Sequence, residues 1–356
     1  MQSKIVSGRW GSIVLALTLL ALASCGGGGG GGSSAPAAPP GKVFIVDAVN
    51  RAIGSMSNPN PGAGTFAVER VISGASTGLG APCGICTPSP STLPSIALDA
   101  AADRLYVATQ QNTRVFDQIS TANGNVSSRS ISANSVQFLN IAIDPASNTL
   151  YTVGSSGVVN IFNSAHILNG STTPSRTITP DFTAFPPIVG TFSIAVDTTS
   201  RNLLYVGVYF NGQTNIVVFN NASTADTTGG TPLAPSQTLS FSTGPGAFYL
   251  DTVHDRLYTA QFNGPIFVFD SASTLTTGPQ SPNRTISLPV VQTSFSDSQL
   301  FIFVDTTNDR LYAVNGSTGF IRNGASTAAD PINTYTQFAV TAASPSTVFS
   351  AVAVKP

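Results

Sequence analysis

Residues 95–109 read SIALDAAADRLYVAT, and this stretch decides the fold because it returns four more times. It recurs as NIAIDPASNTLYTVG (140–154), SIAVDTTSRNLLYVG (193–207), FYLDTVHDRLYTA (248–260) and FIFVDTTNDRLYAV (301–314). The acids that anchor it, Asp99, Asp144, Asp197, Asp251 and Asp305, stand 45, 53, 54 and 54 residues apart. Self-similarity at such a period marks a repeat architecture, whose units bury their apolar faces against one another. Within the unit Leu105 and Val107 alternate with Tyr106, the period of two expected of a strand. A second apolar run follows each copy (TRVFD, VNIFN, NIVVFN, PIFVFD), and turn-forming residues then lead to SSRSIS, PSRTIT, PSQTLS or PNRTIS. Four short strands in about 40–50 residues make one blade of a β-propeller.

The two ends complete the ring. KVFIVD (42–47) aligns with the second strand of a blade and VERVIS (68–73) with its fourth. The missing first strand is found at the other end of the chain, as SAVAVK (350–355). The expected fold is therefore all-β, a six-bladed propeller of four-stranded blades over residues 42–356, closed by the C-terminal strand pairing with the N-terminal blade. Such pairing removes the open sheet edge. Residues 74–94 are too short and too rich in Pro and Gly for a seventh blade.

Composition narrows the chemistry. Charged residues are 9% of the 356, against roughly 25% in ordinary soluble domains, while hydrophobic residues are 42%. There is ample core material, so low charge does not signal disorder. A formal net charge of −1 leaves no electrostatic footprint for nucleic acid. The chain has one Glu (Glu69) and two His (His166, His254), which leaves little for acid–base or metal chemistry.

The N-terminus reads as an export signal. Lys4 and Arg9 precede an apolar run from Ile13 to Ala23, too short for a mature span of a bilayer about 30 Å thick but suited to a secretory h-region. Leu22-Ala23-Ser24-Cys25 closes it and resembles the bacterial lipobox. That resemblance implies cleavage after residue 24 and acylation of Cys25, palmitate included. Residues 25–41, seven Gly and then SSAPAAPPG, form a tether that is flexible and then stiffer. Multiple acyl chains give stable anchoring. By resemblance to Gram-negative lipoprotein sorting, Gly26 in place of Asp directs the protein to the outer membrane.

The pattern IAVD…DRLYVA…VFD resembles the NHL-type and YVTN-type propeller repeats of bacterial surface and periplasmic proteins, across residues 42–356. The resemblance implies architecture and leaves function open, since propellers host binding modules, lactonases and lyases alike. Gluconolactonase-like propellers hold a metal with Glu, Asn and Asp in the channel, and here the lone Glu69 falls in an outer strand. The His, Glu and Arg groups of phosphogluconolactonase-like propellers have no counterparts. No cofactor and no metal ligands are expected.

Each repeated Asp precedes a short turn, where its carboxylate can accept turn amides two residues on or pair with the following Arg104, Arg256 or Arg310. The repeated Tyr106, Tyr151, Tyr205, Tyr258 and Tyr312 are expected to pack between blades. Arg70, Arg129, Arg176 and Arg284, with Gln237, fall in fourth strands, where charge on an exposed edge discourages aggregation. Arg322 replaces the Phe of positions 116, 162, 219 and 269, and reads as an adjustment at ring closure. Cys83 and Cys86 form CGIC, most simply a disulfide in an oxidising compartment, with redox and metal roles as alternatives. His254 falls in a turn and His166 in a loop.

One face carries the binding expectation. Loops joining strand two to three, and strand four to the next blade, share a face of a propeller. There Phe182, Phe185, Tyr209, Phe210, Asn211, Gln213, Phe262 and Asn263 set rings beside amides, suited to gripping a sugar or a peptide. The expected function is a non-catalytic binding or scaffold module for a protein, peptide or glycan. The alternative is a propeller hydrolase or lyase of the lactonase kind.

Overall fold

Each Asp-turn-Leu-Tyr repeat folds into an antiparallel hairpin. In the first copy Asp99 pairs with Arg104 and Ala97 with Tyr106. The turn residue Asp103 takes positive φ (53°), as do its equivalents Asn148, Asn202, Asp255 and Asp309. Asn and Asp tolerate this left-handed backbone better than other side chains do. The computed structural model describes residues 41–57, 66–80, 95–134, 136–183, 188–210, 213–242, 244–261, 264–288, 300–315, 318–327, 336–341 and 349–356.

Six small antiparallel sheets result, one per blade. Blade one is the split one. Its innermost strand is Phe349–Lys355, which pairs with Lys42–Asp47 in a register matching Phe44 to Ala353. Blades two to six follow in chain order, with innermost strands Ile96–Asp99, Asn140–Asp144, Ile188–Asp197, Pro245–Asp251 and Phe301–Asp305. Among the described residues the helical elements are two single turns, Ala75–Thr77 and Ala272–Thr274.

The core is divided into six clusters, and each joins one blade to the next. Phe44 and Ile53 of blade one meet Leu105 and Phe116 of blade two. Tyr106 faces blade three, Tyr151 blade four, Tyr205 blade five and Tyr258 blade six. Tyr312 and Val314 of blade six meet Val43 and Val352 of blade one and close the ring. These tyrosines are at most 1% exposed, so the repeat pattern encodes contacts between blades.

Two expectations about charge are corrected. The fourth-strand arginines are not on bare edges. Arg129 and Arg176 start the strands Arg129–Ser132 and Arg176–Ile178, and each reaches a turn of the following blade. Arg129 Nη1 donates to the Leu168 carbonyl at 2.8 Å and Arg176 Nη1 to that of Ala225 at 2.8 Å. Arg284 donates to the Ala325 carbonyl at 3.2 Å, and Arg70 to that of Ser120. The outer edges are covered by the next blade's loop: Gly170–Ser171 pairs in parallel with blade two, Gly278–Pro279 with blade four and Phe66–Ala67 with blade six. Backbone pairing therefore blunts these edges and the arginines clamp neighbouring blades. Arg322, 3% exposed, pairs across strands with Leu311, which packs toward blade five. It thus stands on the side away from the closing seam, because the chain closes within blade one.

Candidate functional site

The innermost strands surround a central channel with a cavity of about 570 Å³. Its wall is mixed, with Ile96, Leu98, Ile143 and Val196 beside Asn140, Ser193, Asp144 and Asp197. The position paired with the repeat tyrosine is Ala97, Ala142 or Ala195 in blades two to four, and Ala353 faces Phe44 in blade one, but Tyr249 and Phe303 take the place in blades five and six. These two rings lie 5.0 Å apart and narrow the channel on one side. Burial, and then the nearby Asp251 and Asp305, push the Tyr249 phenol well above its usual range, so it stays neutral. An innermost strand has no partner on its inward edge, and serines take up part of that deficit. Ser95 accepts the Ile141 amide at 3.3 Å, and Ser193 donates to the Phe248 carbonyl at 3.3 Å.

The repeated carboxylates serve their own turns. Asp251 Oδ1 accepts the amides of Val253 and His254, both at 3.0 Å, and its Oδ2 meets His254 Nδ1 at 2.8 Å. Asp305 repeats this with Thr307, Asn308 and the Asn308 side chain. Asp144 does so with Ala146 and Ser147, and Asp197 with Thr199 and Arg201. His254 therefore fills the slot that Asn308 and Ser147 fill elsewhere, as a turn partner of the acid. Arg104 and Arg256 turn away from the repeated Asp, pairing with Asp117 and with Asp270 at 3.1 Å respectively. Both sit one strand pair along, opposite those acids in register. Among the described residues no three His, Cys, Asp or Glu side chains converge.

A second cavity, about 670 Å³, opens between blades four and five on the opposite face from the Asp turns. Blade four has unusually long strands, Leu203–Phe210 and Gln213–Asn220 at 8 residues each, against 6 and 5 for Arg256–Gln261 and Ile266–Asp270. Between equivalent Tyr and Phe positions this hairpin has three residues more than its blade-five counterpart, and at ~3.4 Å per residue, shared over two strands, that lifts it ~5 Å above its neighbour. The hairpin makes a wall carrying Tyr209, Gln213 and Thr214, and Phe241, Gln261 and Phe267 complete the cleft. Tyr209 is 39% exposed, the one aromatic ring among the exposed large apolar residues described. Phe241 stands edge-on to the buried Phe269, centroids 5.4 Å apart, which fixes its ring. Thr214 is 4% exposed, and its hydroxyl has no hydrogen-bond partner among the described residues.

Of the residues expected on this face, the structure brings Tyr209 and Gln213 together in the cleft. Phe182 packs against the core cluster between blades three and four, and Phe210, 9% exposed, belongs to it. Phe210 follows Tyr209 on an alternating strand, so one ring faces the cleft and the next the core. Phe185, Asn211, Phe262 and Asn263 lie outside the described residues, as do Cys25, Cys83 and Cys86. Phe241 and Phe267 were not foreseen. The signal that points to the cleft is a length difference: 14 residues separate Tyr205 from Phe219, against 10 from Tyr106 to Phe116 and 11 from Tyr258 to Phe269.

The chain matches no protein-family model and no curated protein. Solved structures similar to it include Kuenenia stuttgartiensis hydrazine synthase, 13% identical over 71% of this chain and 63% of that one, with a TM-score of 0.41. A mitotic checkpoint complex is 13% identical over 67% and 64%, TM-score 0.40. The WD40 domain of Toxoplasma gondii coronin is 10% identical over 66% and 67%, TM-score 0.43. In the first two the match thus spans just under two thirds of the other chain.

Proposed function

We propose that this β-propeller is a lipid-anchored envelope protein acting as a non-catalytic binding or scaffold module for a protein, peptide or glycan. The observation that supports this most is the cleft between blades four and five, where an exposed tyrosine, two phenylalanines and two glutamines line one recess. A recess of rings with a few polar groups is the usual form of a recognition site. The repeated carboxylates, by contrast, already accept hydrogen bonds from their own turns. The anchor rests on the sequence around Cys25, and Gly26 supports an outer-membrane address.

Thermal unfolding of the full chain in detergent, against panels of glycans, peptides, lactones and divalent metals, tests the reading. A ligand at 100 times its dissociation constant stabilises by ~2.7 kcal/mol. A shift with a glycan or peptide alone is expected. A shift with metal that chelator reverses, together with lactone turnover, would replace it with the hydrolase. For the anchor, Cys25→Ala should move the protein from the detergent to the aqueous phase on partitioning, and an unchanged distribution would remove it.

A further inference from the structure

We infer that the cleft between blades four and five binds a neutral saccharide. This deepens the binding-module reading and rests on it. Tyr209, Gln213, Thr214, Phe241, Gln261 and Phe267 line the cleft, and no described residue lining it is charged. A charged ligand would leave water there without a counter-charge, which is costly. Sugar rings present apolar faces that lie on aromatic rings, and hydroxyls that both donate and accept. Tyr209 offers such a ring at 39% exposure, on a hairpin whose elevation separates it from the core.

Glutamine amides and hydroxyls answer polyol hydroxyls in both senses, donor and acceptor. Gln213 and Ser242 are exposed at the rim, and Thr214 holds a buried hydroxyl without a described partner in the lining. A peptide fits less well. Strand addition needs a free sheet edge several residues long, and the wall strands are interior to blade four, with only Gln213 and Thr214 extending past the pairing with Gln237–Ser240 at the cleft end. A proline-rich peptide supplies carbonyl acceptors but few donors, so the carbonyl of the Gln213 amide would go unanswered.

The test is calorimetric titration of the full chain, held in a polyoxyethylene detergent that carries no sugar headgroup. The probes are hexasaccharides of glucose and of N-acetylglucosamine, oligoglucuronate and chitosan oligomers as charged counterparts, and a proline-rich decapeptide. Binding of a neutral hexasaccharide is expected, weakened ~10-fold or more by Tyr209→Ala, as for an aromatic anchor. Tyr209→Phe should retain it, because the ring stays. Val253→Ala should leave it unchanged, since Val253 is 70% exposed in a turn on the opposite face. Preference for a charged oligomer, or Tyr209-dependent binding of the peptide alone, would overturn the saccharide class and leave the binding module standing. Saccharide binding indifferent to Tyr209→Ala would overturn the cleft as its site. No binding of any probe, with wild-type unfolding behaviour in all variants, would overturn the saccharide class and the cleft as its site, and leave a protein partner for the module.

Discussion

Replacing Tyr258 measures how much of this ring is held by its repeat tyrosines. Tyr258 is fully buried, packs among residues of blades five and six, and its hydroxyl donates to the Ala325 carbonyl at 3.3 Å. An aromatic side chain buries ~150–200 Å², and at ~25 cal/mol/Å² its removal from water is worth ~4–5 kcal/mol. Alanine keeps the Cβ and leaves a cavity that closes in part, so Tyr258→Ala should cost ~3–5 kcal/mol. Tyr258→Phe should cost only ~0.5–1 kcal/mol, because Arg284 Nη1 still donates to the same carbonyl at 3.2 Å. Blade one already uses phenylalanine in this slot, as Phe44, with Arg70 alone reaching the facing turn. The assay is urea denaturation read by circular dichroism, comparing midpoints at constant slope. A loss below ~1 kcal/mol for the alanine variant, or equal losses for the two variants, would refute the claim that ring burial between blades dominates.

Other consequences are as concrete. Arg284→Gln should destabilise by ~1.5–3 kcal/mol in the same assay, the range for hydrogen bonds that involve a charged group, since it removes contacts to Asp270 and to blade six. An unchanged midpoint would make the clamp idle. A chain ending at residue 348 loses the innermost strand of blade one and that stretch of channel wall. It should lose its cooperative melt and become protease-sensitive at 42–57, and retention of a sharp transition would contradict closure by the C-terminal strand. Lys42, and then Ser57, hold the Glu69 carboxyl at about 2, below its ordinary 4.5. The folded value is the lower one, so the stabilisation is complete above pH 4.5 and fades as pH falls toward 2. Wild-type stability should therefore drop more steeply than that of Glu69→Gln across this interval, and parallel curves would refute the pairing.

The blade count was legible in the sequence because strands alternate with period two and because the same residue types return at the same places. SAVAVK at the end and KVFIVD at the start could be paired by alignment alone, and the register of Phe44 on Ala353 agrees. The turn role of the repeated Asp was legible for a similar reason, since its hydrogen bonds reach only two to four residues on. The packing of the repeat tyrosines between blades was legible too, but the hydrogen bonds between neighbouring blades were not. Arg176 meets the turn at Ala222 and Ala225 46 and 49 residues away, and Gly278 covers the edge at Leu239 across 39 residues. Which outer group a side chain meets is set by how blades pack around the ring, so the arginines read as solvent-facing until the neighbour was in place.

The candidate site divides along the same line. Local sequence placed Tyr209 and Gln213 in a loop between strands two and three, whereas they lie at the ends of the strands Leu203–Phe210 and Gln213–Asn220. It could not separate Tyr209 from Phe210, because facing the cleft or the core depends on the phase of one strand against two adjoining blades. Nor could it bring Phe241 and Phe267 beneath that hairpin, since they come from a link and a strand of another blade. Periodicity along the chain determined the strands, their number and their closure. The ring's packing alone decided which edges are covered, which charges clamp, and which rings are left to meet a ligand.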